Sequence, residues 1–567
     1  MRRNFLASVC LLALLGACEQ PAVPPVSFNV VEAGIPEIRA ALAEGRVTSR
    51  ELVRQYLARI ATYEDRFHAA LYVNPRALEE ADALDRERSE GRIRGPLHGI
   101  PIALKDNIHT TDMPTTGGAL AFDGLVPPYE ATLTKNLREA GAIIIAKTHM
   151  TELANWVAGQ PTPMPGNYNG LGGQGYNPYD PRRDPRVGFF DGRPVMIVGG
   201  SSSGIGTTAN FWAANVGTET SGSILNPANW TMLVGIKPTV GRISRYGVIP
   251  ITADQDTPGP MAKTVTDAAI LFGALEGAGP DPNDSATAKC PPPPGRDYTP
   301  FLRADGLMGA RIGVPRAFYY EPASVPGEPL QRGGLNSEQM RVMEEAIAVL
   351  KAQGAVIVDP ADIPSVVDQE KENNFLLWGI CGAGFDVALA ENCSIVFEYG
   401  MKRDFNSWLA SLGNAAPVKS LTELREWNLA HQNAGSIKYG QSTLDHSDEI
   451  DLTRDRGRYE ADRAKDIRLA ATYGIDEVMA REKLDALLFP AQLGAALAAR
   501  PGYPTIIVPF GTVPNAPLPP FPEGFNPQPM PMGISFTGMA CAEPRLLELA
   551  YAFEQLTKKR QSPPNMP

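Results

Sequence analysis

From about residue 28 the chain alternates two rhythms of apolar residues. IPEIRAALAEGRV carries apolar positions at helical spacing, and VTSRELVRQYLARIATYEDR repeats the pattern, with Thr48 or Ser49 placed as caps before Glu51 and Leu52. IPIALKD is a short apolar run of strand length ending near Lys105. TLTKNLREAGAIIIAKT predicts a helix, a stop at Gly141 and a buried strand, and VMIVGG predicts another strand. Further on, ARIGVP reads as a strand, LNSEQMRVMEEAIAVLKAQGAVIV as a helix and a strand, and LDALLFPA and YPTIIVPFG as strands. EPRLLELAYAFEQLTKKR predicts a closing amphipathic helix. This alternation places the chain among α/β sheet proteins. Residues 159–194 and 279–299 lack periodicity and are rich in glycine and proline, which predicts long surface loops. Residues 370–480 are mostly helical and more polar, which predicts a helical insertion or cap on the sheet.

The first residues follow a different pattern. MRRNFLASVCLLALLGACEQ has two arginines, an apolar run and then small residues, the pattern of a secretion signal over residues 1–17. Leu15-Gly16-Ala17-Cys18 resembles a bacterial lipobox, whose cleavage would leave Cys18 first and lipid-modified; the other reading is an ordinary signal with an incidental cysteine. The lipobox reading makes residues 18–27 a proline-rich tether. It also makes the mature protein a periplasmic, membrane-anchored bacterial lipoprotein. The apolar run is short for a transmembrane helix. Loss of residues 1–17, with Arg2 and Arg3 and no acids, takes the formal charge from −11 to −13. A chain this acidic is a poor partner for nucleic acid. Six scattered histidines and no CxxC or HExxH argue against a metal site, and no cofactor is expected. Cys381 and Cys393 are neighbours in sequence, and both a disulfide and a pair of free thiols fit them.

The densest chemical signal runs from Gly199 to Pro227, GGSSSGIGTTANFWAANVGTETSGSILNP. Two glycine-rich, serine-bearing turns flank a predicted helix and a short strand. Small residues let the backbone turn sharply and aim its N–H groups at one point. A serine hydroxyl there is a weak nucleophile until a base takes its proton. Lys105, at the end of PIALK, is placed for burial, which disfavours an ammonium and makes it a base; a surface lysine or an Asp106 ion pair is the plainer reading.

Together these pieces resemble the amidase signature family. GGSSSG, GTETSGSI and VGIKPTVGRISRYGVIP cover its characteristic block, adjoined by TADQDTPGPMAKTVTDAAIL. GPLHGIPIALKDNI and REAGAIIIAKTHMTELA match upstream, and LDALLFPA, GYPTIIVPFG and PMGISFTG match downstream. The resemblance implies a single large α/β/α domain over residues 28–560, with a mixed central sheet covered by helices. It implies a Ser–cis-Ser–Lys triad: Lys105 as base, Ser201 as bridging serine with a cis peptide bond, and Ser223 as nucleophile. Backbone N–H groups of Thr220, Ser221, Gly222 and Ser223 would form the oxyanion hole. The reaction would be hydrolysis of carboxamides through an acyl-enzyme. GTETSGSILNPA and ISRYGVIPITADQDTPGPMA look most similar to bacterial peptide amidases, which remove a peptide's C-terminal amide.

The segment from Ser201 to Ser223 is about two residues shorter than the family pattern, which leaves Ser202 as a second choice for the bridging serine. Leu225 stands where many members carry arginine, and DGRPVM lengthens the loop before GGSSSG. Three other readings compete. Gly200–Gly204 also satisfies GxSxG, an elbow of an α/β-hydrolase-type esterase with Ser202 as nucleophile. GIGTTA with Glu219 further on half-matches a dinucleotide fingerprint. A non-catalytic periplasmic binding lipoprotein is the third.

Overall fold

The computed structural model describes residues 28–188, 191–200, 202–382, 392–564 and 566. The signal segment, the tether with Cys18, and Ser201 lie outside the described residues.

Eleven strands form one mixed sheet: β1 (Ala70–Val73), β2 (Pro101–Lys105), β3 (Ile143–Thr148), β4 (Ala214–Glu219), β5 (Val234–Lys237), β6 (Thr257–Ala262), β7 (Arg311–Gly313), β8 (Val356–Val358), β9 (Ala486–Pro490), β10 (Thr505–Val513) and β11 (Met530–Thr537). Their order across the sheet is β1-β3-β2-β4-β6-β5-β10-β11-β9-β7-β8. The β3, β2 and β4 strands run parallel, as do β9, β7 and β8, while the stretch from β4 through β9 is antiparallel. The inner strands β2, β3, β4, β6 and β9 are buried along their whole length, as expected of strands covered by helices on both faces. The fold is the α/β class that the alternation of elements predicts.

Most periodic segments form the elements their pattern calls for. The helix Ser49–Phe67 is capped by Thr48, whose hydroxyl accepts the Glu51 N–H. The helix Thr132–Glu139 stops before Gly141, whose φ of +88° suits glycine, and β3 follows. The C-terminal helix spans Glu543–Thr557 and buries Leu546, Leu547, Leu549, Ala550 and Phe553.

One expectation fails and another holds only in part. VMIVGG forms no strand. Its backbone is satisfied instead by side chains and a loop: Asn177 Nδ2 donates to Ile197 O, Asn515 Nδ2 donates to Val195 O, and Val195 N–H donates to Arg182 O. Gly199 and Gly200 then take left-handed conformations that end any extended run. Among the described residues of 159–194 a two-residue hairpin, Tyr168–Asn169 with Gly173–Gln174, interrupts an otherwise irregular backbone, and the surface loop expected there holds only in part: residues 160–163 and 182–183 are exposed, but the middle is buried. Asn167, Asn169 and Asn177 are fully buried, and Tyr168, Tyr176 and Tyr179 nearly so. Their amides supply the hydrogen bonds that a ladder would otherwise provide.

Between residues 396 and 482 the chain forms short helices, two of them π-helical. Phe397, Phe405, Trp408, Leu421 and Leu444 pack with Phe122, Leu153 and Trp156 in an apolar cluster separate from the core of the sheet. Two disulfides join the four cysteines of the described residues, Cys381–Cys393 and Cys290–Cys541. The first settles the open pairing, and the second ties the 279–299 loop to the turn before the C-terminal helix.

Candidate active site

The site forms where β2 ends and β4 continues. The parallel register pairs Leu104 with Val216, so Lys105 reaches the stretch of β4 that has lost its neighbour. There the Lys105 Nζ donates to Thr218 Oγ1 at 2.8 Å and to Thr218 O at 3.3 Å. Asn107 Nδ2 donates to the same hydroxyl at 3.1 Å. Lys105 has no exposed surface. Burial pulls its pKa down to about 7, against the pull of the Asp256 and Glu219 carboxylates, which favour the ammonium. A lysine shifted this far can give up its proton near neutral pH and so has the chemistry of a base.

Ser202 fills the other half of the gap at Thr218. Its hydroxyl donates to Thr218 O at 3.0 Å and accepts the Thr218 N–H at 3.2 Å, closing the two backbone groups β2 has left open. Ser202 is fully buried, and no strand precedes it. An esterase elbow needs its serine exposed on top of a strand-to-helix turn, so that reading loses its geometry.

Ser223 lies in the second turn, 8% exposed. The two turns touch: Ser202 N–H donates to Ser223 O at 3.2 Å, and a Cβ on Gly200 would stand 3.0 Å from Ser223 Cα. The Glu219 carboxylate, fully buried, accepts the N–H groups of Ile224 at 2.7 Å and Leu225 at 2.9 Å and holds the turn from beneath. Glu219 therefore shapes a turn and binds no ribose, and the helix of the fingerprint, Ile205–Thr208, is one turn long. On the outer side, Thr220 Oγ1 donates to Asp256, and Gln255 Nε2 donates to Thr220 O at 3.1 Å. Asp256 also accepts the N–H groups of Ile251 and Thr252, and its burial raises its pKa to about 7. The N–H groups of Thr220, Ser221, Gly222 and Ser223 donate to no acceptor among the described residues. Four open donors in one turn are what a developing oxyanion requires.

The first turn is anchored from the other side. Thr151 Oγ1 donates to Gly200 O at 2.9 Å and accepts the Asn167 N–H at 2.7 Å. Leu225 has no exposed surface and packs with Ile224, Ala228, Leu233, Met261, Ala495 and Ile507. It presents neither charge nor surface to a substrate. Lys105, Thr220, Ser221, Gly222 and Ser223 thus gather around Thr218 and the second turn. Sequence reasoning missed Thr218, Asn107, Asp256 and Thr151, although they lie in the quoted blocks GTETSGSI, GPLHGIPIALKDNI, TADQDTPGPMA and REAGAIIIAKTHMTELA. Among the described residues no group of three or more His, Cys, Asp or Glu could hold a metal ion.

A buried lysine beneath a serine-bearing turn with open N–H donors thus sits on a mixed eleven-stranded sheet. The amidase family profile matches residues 51–547, and the chain belongs to that family. It is 32% identical to a probable amidase of Arabidopsis thaliana over 99% of this chain and 96% of the relative. The peptide amidase of Stenotrophomonas maltophilia superposes with a TM-score of 0.76 at 34% identity, covering 94% of this chain and 98% of that one. An amidase family protein of Bacillus anthracis gives a TM-score of 0.76 at 30% identity over 94% and 92% of the two chains. The protein is an amide-hydrolysing enzyme.

Proposed function

We propose that the enzyme hydrolyses the terminal carboxamide of peptides or similar acyl chains through Lys105, Ser201 and Ser223. Neutral Lys105 takes a proton from Ser201 as Ser201 takes one from Ser223, and Ser223 Oγ attacks the carbonyl carbon. The oxyanion is held by N–H groups of Thr220, Ser221, Gly222 and Ser223. The proton returns through Ser201 to the leaving nitrogen, and ammonia departs. Water then attacks the acyl-enzyme, giving its proton to the same relay, and the acid leaves as Ser223 regains its own.

The observation that carries this reading is the fully buried Lys105 at Thr218, with its pKa near 7 and open N–H donors beside it. The engagement of Ser202 with the Thr218 backbone supports Ser201 as the bridging serine. The likeness to a peptide amidase at 34% identity supports the substrate class. So does the buried Leu225, which leaves that position no charge for a free carboxylate. The test compares ammonia release from a peptide amide and from a simple aliphatic amide, with the peptide as free acid for background. Cleavage of the aliphatic amide alone sinks the substrate reading. Mapping a fluorophosphonate adduct to Ser202 rather than Ser223 sinks the triad.

We also infer export and anchoring through Cys18. Two disulfides, one spanning 251 residues, support folding in an oxidising compartment. Cys18→Ser should abolish incorporation of labelled fatty acid and move the protein to the soluble fraction. Unchanged labelling refutes the anchor.

A further inference from the structure

The short helix Leu225–Trp230 follows Ser223 directly and turns one face outward. Leu225, Pro227, Ala228 and Asn229 are buried, whereas Asn226 and Trp230 are half-buried. These two are four residues apart and so share a face. Both lie against bare glycine backbone of the two catalytic turns. A Cβ on Gly199 would stand 2.8 Å from Trp230 Nε1 and 3.3 Å from Asn226 Cβ, and one on Gly222 would stand 2.7 Å from Asn226 Nδ2. The Asn226 carboxamide and the Trp230 indole N–H make no hydrogen bond among the described residues, and their polar atoms are not sealed from solvent.

The surroundings fix this face in place. Asn177, fully buried, donates through Nδ2 to both Trp230 O at 2.8 Å and Ile197 O at 3.1 Å, which locks the indole-bearing helix end beside Ile197. Ile197, whose carbonyl shares the Asn177 amide with Trp230, leaves 49% of its surface exposed. An indole, a branched aliphatic side chain and one carboxamide beside a nucleophile suit a residue with a side chain and a peptide bond. They suit a small aliphatic amide poorly, since beyond its scissile amide it has no N–H for the carboxamide to bond.

We propose that Asn226, Trp230 and Ile197 form the subsite for the residue that bears the terminal amide. Asn226 Oδ1 accepts the N–H of that residue, and Trp230 with Ile197 covers its side chain. The inference rests on the peptide-amide reading above and deepens it.

The test measures kcat/KM for an N-acyl dipeptide amide, for its analogue with the internal peptide N–H replaced by an ester oxygen, and for propionamide. The enzymes are wild type, Asn226→Ala, Asn226→Asp and Trp230→Ala, each checked for an unchanged thermal unfolding midpoint. Wild type should prefer the peptide over the ester analogue by about three- to tenfold, the worth of one hydrogen bond. Asn226→Ala should erase that preference, mainly through KM, and Asn226→Asp, which keeps an acceptor, should retain it. Trp230→Ala should shrink the preference for a phenylalanine amide over a glycine amide. If Asn226→Ala retains the peptide-over-ester preference, the subsite is wrong while the substrate reading stands. If wild type cleaves propionamide and no peptide amide, both fall together. A Trp230→Ala protein that unfolds early is replaced by Trp230→Phe, which should keep the aromatic preference that Ile197→Ser reduces.

Discussion

At the scale of single residues the site turns on where a proton can rest. In the proposed relay Lys105 acts as the neutral amine, so kcat/KM should rise with pH through an apparent pKa of about 7 and level off above it. Asp256, raised to the same range and near enough to bias Lys105, shares that titration, so the limb belongs to the pair. Asp256→Asn should therefore move the limb to lower pH, because the carboxylate favours the ammonium. The same burial costs stability. The folded pKa lies below the ordinary 10.5, so the unfolded chain binds more protons between about 7 and 10.5, and stability from this group rises with pH across that window. Lys105→Met should be inactive yet more stable than wild type at pH 7, by on the order of 3 kcal/mol, with the gap closing towards pH 10.5. Denaturant melts at both pH values check it; a gap that ignores pH refutes the buried-base account. Ser223→Ala should remove nearly all turnover with its melt unchanged. Ser202→Ala should instead lower the midpoint, because Thr218 then loses a donor and an acceptor in a sealed site, a loss of about 1–3 kcal/mol.

At the scale of elements, what was legible followed from burial on one or two faces. IPIALK and AGAIIIAKT had to be strands because each is a short, bounded apolar run, and both form where expected. The sixth strand, TPGPMA, carries two prolines and gave no such signal. It pairs with β4 with Pro258 opposite Thr218 and Pro260 opposite Val216. Thr218 turns its N–H and C=O towards Lys105 and Ser202, away from Pro258, so no ladder bond asks for the missing donor. The register of a proline-bearing strand thus leaves Thr218 available to the site. Gly259 sits between these prolines, and a Cβ there would overlap Ile236 O. Gly259→Ala should destabilise the enzyme by about 3 kcal/mol or prevent its folding, because backbone cannot yield as a side chain does. An unchanged melting midpoint would contradict the packing of β5 on β6.

At the scale of the molecule, the sheet's distant segments are joined covalently as well as by packing. Cys290–Cys541 closes a loop of 251 residues, and long loops gain most from closure, on the order of 4–5 kcal/mol in the chain-entropy view. Cys541→Ser should lower the unfolding midpoint by several degrees, and Cys290→Ser should match it. The double variant should add nothing. Adding a reductant should lower wild type towards the variants, which a differential scan reads directly. Among the described residues no helix is long and apolar enough to cross a membrane.

The sequence by itself determined the α/β class, the strand that ends at Lys105 and the two serine-bearing turns, because periodicity, glycine and short apolar runs are local properties. Motif order was enough to place the chain in its family. Tertiary structure decided the rest. It buried Lys105 beside Thr218, which no spacing could foretell, since residues 105 and 218 meet only through the parallel register of β2 and β4. It turned VMIVGG from a strand into a loop held by Asn177 and by Asn515, which lies 320 residues from its partner Val195. It drew the middle of the 159–194 segment inside, where the buried amides of Asn167, Asn169 and Asn177 supplement a two-residue hairpin. Local pattern states what a segment prefers, and only its partners settle which groups lose water and which stay open to react.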